Sequence, residues 1–124
     1  MDEISKEEQS KYVRQFLKEF KALIDQKGLI VKDRVINKDS LLVLGLTGKQ
    51  RDEIVLSLSV TDYSSGPIED QYKPGSYYWV FGKQVEGVEI YIKLKISGHP
   101  GAEYASCFSF HKSKEPLKHP LKDS

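Results

Sequence analysis

One cysteine, Cys107, stands in 124 residues, so no internal disulfide can form and the chain suits a reducing compartment. No apolar run approaches the ~20 residues that cross a bilayer. The opening "MDEISKEEQS" is acidic and polar, unlike a signal peptide. These absences predict a cytoplasmic protein without a membrane partner. A glycine-rich phosphate loop opening a helix is missing too, which argues against a nucleotide-triphosphate enzyme of the P-loop kind. His99, His111 and His119 lack zinc spacing, and loop carboxylates such as Asp62, Glu69 and Asp70 ordinarily cap turns, so neither a metal nor a cofactor is expected. Strong charge of one sign is also absent. The net charge is +1, which excludes global electrostatic steering onto nucleic acid. From Lys83 onward, however, seven Lys stand against five Asp and Glu, which leaves room for a local basic face.

What is present reads as one domain with an ordinary core: 39% of residues are hydrophobic and 30% charged. "ISKEEQSKYVRQFLKEFKALIDQKG" has a capping box at Ser5 and Glu8, with Ile4 placed as a hydrophobic staple. Tyr12, Val13, Phe16, Leu17, Phe20, Leu23 and Ile24 recur at helical spacing, and Gly28 ends the helix. Residues 29–36 predict a short extended segment, and Asn37 to Gly45 a brief helix. Thr47 and Gln50 form a second capping box, opening a helix that runs to about Ser57. "TDYSSGPIEDQYKPG" reads as a turn-rich loop.

Everything after that loop reads as sheet. "SYYWVFGKQV" and "VEIYIKLKIS" flank a short "EG" turn, and "GHPGA" leads into "EYASCFSFH". Helices first and a meander at 76–111 second predict an α+β fold, with the helices on one face of a small antiparallel sheet. Residues 112–124 read as an irregular tail.

The strand "VEIYIKLKIS" puts Val88, Ile90, Ile92, Leu94 and Ile96 on one face and Glu89, Tyr91, Lys93, Lys95 and Ser97 on the other. The same alternation in the last strand assigns Phe108 and Phe110 to the core and Cys107, Ser109 and His111 to the polar side. A phenol, an imidazole and two ammonium groups then share one surface. Such groups suit RNA cleavage without a metal: histidine for proton transfer near neutrality, lysines for developing phosphorane charge. The pattern also describes a solvated sheet face, and composition does not separate the two.

The blocks "LGLT" (44–47), "LSVTDYSSGP" (58–67), "QYKPG" (71–75), "WVFGK" (79–83), "VEIYIKLKI" (88–96) and "CFSFH" (107–111) carry a resemblance. In order and spacing, the stretch from Leu41 to His111 resembles the MqsR family of bacterial toxins, which has the RelE-like ribonuclease fold. The resemblance implies an endoribonuclease (mRNA interferase) of a toxin–antitoxin system that cleaves messenger RNA and is neutralised by a cognate antitoxin. It places Tyr91 on the family's strand tyrosine and His111 on a basic position after the last strand's Ser-Phe. The family's active-site lysine and glutamine land near Leu58 and Glu69, so Lys93 or Lys95 is expected to replace the missing charge. Lys73, Lys83 and Lys112 complete the expected RNA contacts. The alternative reading is a non-catalytic RNA-binding, regulatory or interaction module that uses the same face.

Overall fold

The computed structural model describes residues 5–123. It is α+β: three helices and a five-stranded mixed sheet. Helix α1 (Lys6–Lys27) starts where Ser5 accepts a hydrogen bond from the Glu8 amide at 3.1 Å. The staple residue Ile4 lies outside the described residues. Val13, Phe16, Leu17, Phe20 and Ile24 form its buried stripe, and Phe16 stacks on Trp79 with ring centres 4.9 Å apart. Each such side chain contributes about 1.5–3 kcal/mol relative to exposure.

Strand β1 (Leu29–Val31) is only three residues long, because α2 (Val35–Leu44) begins soon after it, earlier than the sequence pattern suggested. Helix α3 (Gly48–Leu56) opens with the complete Thr47–Gln50 capping box. The stretch read as a loop contains a strand, β2 (Tyr63–Glu69). Its alternation is hidden by Ser64–Pro67, and its register against the next strand shifts twice. As an edge strand it tolerates both the proline and the irregularity. Strands β3 (Tyr77–Val85), β4 (Val88–His99) and β5 (Ala102–Lys112) form the expected meander. Glu86 and Gly87, both at positive φ (53° and 77°), close the first hairpin in two residues.

The sheet order is β1-β5-β4-β3-β2. The antiparallel meander is therefore extended at both edges, and β1 runs parallel to β5. Three residues are too few for periodicity to reveal a strand, and nothing local announces a parallel partner more than seventy residues away. Ile90, Ile92 and Leu94 meet Val13, Phe20 and Phe81 in one core on the α1 side. No helix among the described residues is long and apolar enough to cross a membrane.

After β5 the described chain has no further helix or strand, yet it is packed. Leu117 donates its amide to Glu89 at 2.8 Å, His119 Nε2 lies 3.0 Å from Glu89, and Leu121 is fully buried in the core. The tail passes so close over Gly82 that a Cβ there would lie 2.6 Å from Leu117 Cδ1. A larger residue there would push aside the ends of the Leu117 and His119 side chains.

Candidate functional site

The polar face of β4 is built as the alternation requires. Tyr91 pairs with His111 and Lys93 with Ser109 across β4 and β5, and Lys95 pairs with Tyr78 on β3. The rings of Tyr91 and His111 stack at 5.3 Å, tilted by only 19°. His111 Nδ1 is 3.0 Å from the Lys112 carbonyl. A carbonyl only accepts, so Nδ1 carries the hydrogen in the neutral ring and Nε2 keeps a lone pair for a proton. Burial raises the Tyr91 pKa, with nearby Arg34 opposing it, so the phenol stays protonated near neutrality and acts as a donor. Together Tyr91 and His111 form one wall of a pocket of about 440 Å³, closed on the other side by Ser113 to Leu117 of the tail.

The phasing of β5 differs from the sequence expectation, and a bulge is the reason. Lys93 pairs with Ser109 while the next residue, Leu94, pairs with Cys107, so Phe108 is the extra residue of β5. Before the bulge Ala105 and Cys107 face the core; after it Phe110 does. The prediction that Phe108 joins Phe110 in the core is therefore corrected. Phe108 is half-buried on the polar face, edge-on to Tyr78 with ring centres 4.8 Å apart. Cys107 moves the other way. Fully buried, its thiol is pushed up to about 12, which leaves no nucleophile.

Asn37 holds the bulge in place. Its Nδ2 donates to the Phe108 carbonyl at 3.0 Å and to the Lys32 carbonyl at 3.2 Å, and its Oδ1 accepts from the Phe110 amide at 3.1 Å. β1 has ended here, so a buried side-chain amide takes the place of a neighbouring strand. Arg34 Nη1, from the residue that caps α2, reaches the same point and donates to Ser109 Oγ at 2.9 Å and to the Phe108 carbonyl at 3.0 Å. Neither Asn37 nor Arg34 could be read as a site residue, because their helix meets β5 only in three dimensions.

The lysines divide. Lys93 is half-buried, with its Nζ 4.2 Å from the centre of the Tyr78 ring. Lys95 is different: its side chain is only 5% exposed and its ammonium is 2.7 Å from Asp70. Its charge belongs to that carboxylate, which corrects the expectation that Lys95 grips a phosphate. Asp70 also accepts from the Tyr78 hydroxyl at 3.0 Å and from the Tyr72 amide at 2.9 Å. Lys83 pairs with Ile90, and so projects to the face opposite Tyr91, where it reaches Asp62 at 3.4 Å. Lys112 likewise pairs with Ile90 and leaves the strand on the opposite side from His111. Lys73 is exposed in the turn after β2. Lys83 and Lys112, expected to contact RNA, therefore lie off the face that carries Tyr91 and His111.

On this face Asp70 is paired with Lys95, Glu89 is hydrogen-bonded to His119 and to the Leu117 amide, and Glu115 of the tail lines the Tyr91–His111 pocket. Among the described residues, no carboxylate pairs with Lys32, Arg34 or Lys93. The face thus offers three cations outside any ion pair, even though the chain is nearly neutral. No group of three or more His, Cys, Asp or Glu suited to a metal occurs among the described residues.

The Asp70–Lys95 pair gives a pH prediction. The Lys95 hydrogen bond, aided by the Tyr72 amide, lowers the Asp70 pKa from 3.8 to about 2. A depressed carboxylate pKa contributes stability above the unfolded value and loses it as pH falls through the folded one. Melting temperature should therefore fall between about pH 4 and pH 2. Asp70→Asn should flatten that limb; an unchanged acid limb would show that the pair contributes nothing to it.

No family model, curated protein or solved structure matches this chain.

Proposed function

We propose that this chain is a metal-independent endoribonuclease, of the toxin class its sequence resembles, whose substrate is messenger RNA. The observation that carries the reading is the stacked Tyr91–His111 pair on a sheet face whose cations Lys32, Arg34 and Lys93 have no acidic partner among the described residues. His111 Nε2 takes the proton of a ribose 2′-hydroxyl, whose oxygen attacks the adjacent phosphorus. The bond from phosphorus to the 5′-oxygen breaks, and that oxygen takes a proton from the Tyr91 phenol. A departing alkoxide is a stronger base than a phenolate, so a raised phenol pKa does not prevent this transfer. Arg34 and Lys93 stabilise the phosphorane charge. Lys95 acts indirectly by fixing Asp70 and Tyr78 beneath Lys93. The RelE-like architecture and neutralisation by a cognate antitoxin belong to the same proposal.

The test is cleavage of a defined single-stranded RNA by purified protein. A chelator should leave the rate unchanged. Binding should weaken with salt along a log–log slope of about −2, because roughly three cations meet phosphates at about 0.7 each on a single strand. Cleavage abolished by chelator, or salt-independent binding, would sink the proposal. The second reading, an RNA-binding module without catalysis, draws on one observation: with Lys95 committed to Asp70 and His119 to Glu89, the face leaves His111 as its one imidazole not bonded to a carboxylate among the described residues. It predicts the same salt slope with no cleavage.

A further inference from the structure

A β5 without a bulge that kept His111 beside Tyr91 would bury Phe108. Instead one residue is spent on a bulge, and a buried asparagine amide serves the carbonyl and amide groups on either side of it. The result is a phenylalanine brought out onto a face of lysines, about 7–10 Å along β4 from the Tyr91–His111 pair by strand rise. Bulges beside functional sites commonly re-aim one side chain. Phe108 is bordered by Tyr78 edge-on, by Lys32 Nζ at 5.5 Å from its ring centre, and by Lys95 Nζ at 5.6 Å. Lys95 is held by Asp70, whereas Lys32 is exposed, bears no ion pair among the described residues, and is free to swing aside. Lys93 lies between the two aromatic groups.

We propose that Phe108 is a base-stacking subsite for a nucleotide neighbouring the scissile phosphate, with Lys32 as the ligand of that nucleotide's own phosphate. The proposal rests on the ribonuclease reading and adds a substrate class: an unpaired strand, because a base inside a duplex cannot turn onto the ring. Tyr78 supports the edge of the Phe108 ring, Lys93 bridges toward the stacked pair, and the base contributes a π-face rather than hydrogen bonds. Preference among the four bases at this position is accordingly weak.

The test is binding of a fluorescent 2′-O-methyl tetranucleotide, which cannot be cleaved because the attacking hydroxyl is blocked. Phe108→Leu keeps apolar bulk beside Tyr78 but removes the π-face, and should weaken binding roughly tenfold, within the usual range for one stacked base. Phe108→Trp should bind at least as tightly as the unaltered protein, and keeps the test decisive should the leucine variant fold poorly. Lys32→Gln should lower the salt slope by about 0.7, one phosphate contact on a single strand. A matching RNA duplex should bind without any dependence on residue 108. If Phe108→Leu melts as the unaltered protein does and binds with the same affinity, the subsite is wrong while the ribonuclease reading stands. If the unaltered protein neither binds the tetranucleotide nor cleaves RNA, the reading beneath it falls as well.

Discussion

Replacing His111 by alanine is expected to cut cleavage of single-stranded RNA by roughly 10²–10⁴-fold, the scale for losing a general acid or base. The side chain stands near the end of β5, half-buried, and its Nδ1 bonds only the Lys112 carbonyl, so folding should survive. Substrate affinity should change far less than rate, because proton transfer is felt in the transition state and not in the bound complex. Two companion variants divide the roles. Tyr91→Phe keeps the ring that stacks on His111 and removes only the hydroxyl, so a fall in rate at unchanged binding identifies proton donation. Lys93→Ala should weaken binding and rate together, since an ammonium can hold the ground-state phosphate and the transition state alike. His111→Ala that cleaves as the unaltered protein does would remove the histidine from the chemistry.

Asn37→Leu should be the most damaging single change outside the core. The leucine fills similar volume, but it takes the acceptor from the buried Phe110 amide and a donor from the Lys32 and Phe108 carbonyls, of which the Phe108 carbonyl keeps Arg34. Leaving a buried donor unpaired costs about 1–3 kcal/mol, so a loss of about 2 kcal/mol is expected by urea denaturation. The variant should also lose activity beyond its loss of stability. The bulge that sets Ser109 and His111 in phase with Lys93 and Tyr91 is free to slip once the amide is gone. A stability within about 0.5 kcal/mol of the unaltered protein, the range of an ordinary surface substitution, would show that the bulge holds without Asn37.

Period-two alternation determined much of this. It was enough to put Tyr91, Lys93 and Lys95 on one face of β4, and the hairpin turns were legible because Glu86–Gly87 and the "GHPGA" stretch sit between alternating runs. The capping residues Ser5 and Thr47 and the stripe from Val13 to Ile24 likewise located α1 and the start of α3, since helix ends and faces are decided within a few neighbouring residues. His111 opposite Tyr91 was also within reach of the sequence, by register from the end of the strand. Only the tertiary structure decided the rest. The bulge at Phe108 is invisible to alternation, because both phasings of "CFSFH" bury some apolar residues; what selects between them is Asn37 arriving from α2. The Asp70–Lys95 pair withdraws a cation that the pattern counted as free, and Lys83 and Lys112 fall on the other face through pairing with Ile90. Arg34 and Lys32 enter the site because β1 docks parallel to β5, a contact spanning more than seventy residues. Local sequence specifies which way a side chain points along its own strand. Which charges remain unpaired once the chain is packed depends on contacts between segments whose spacing no local pattern encodes.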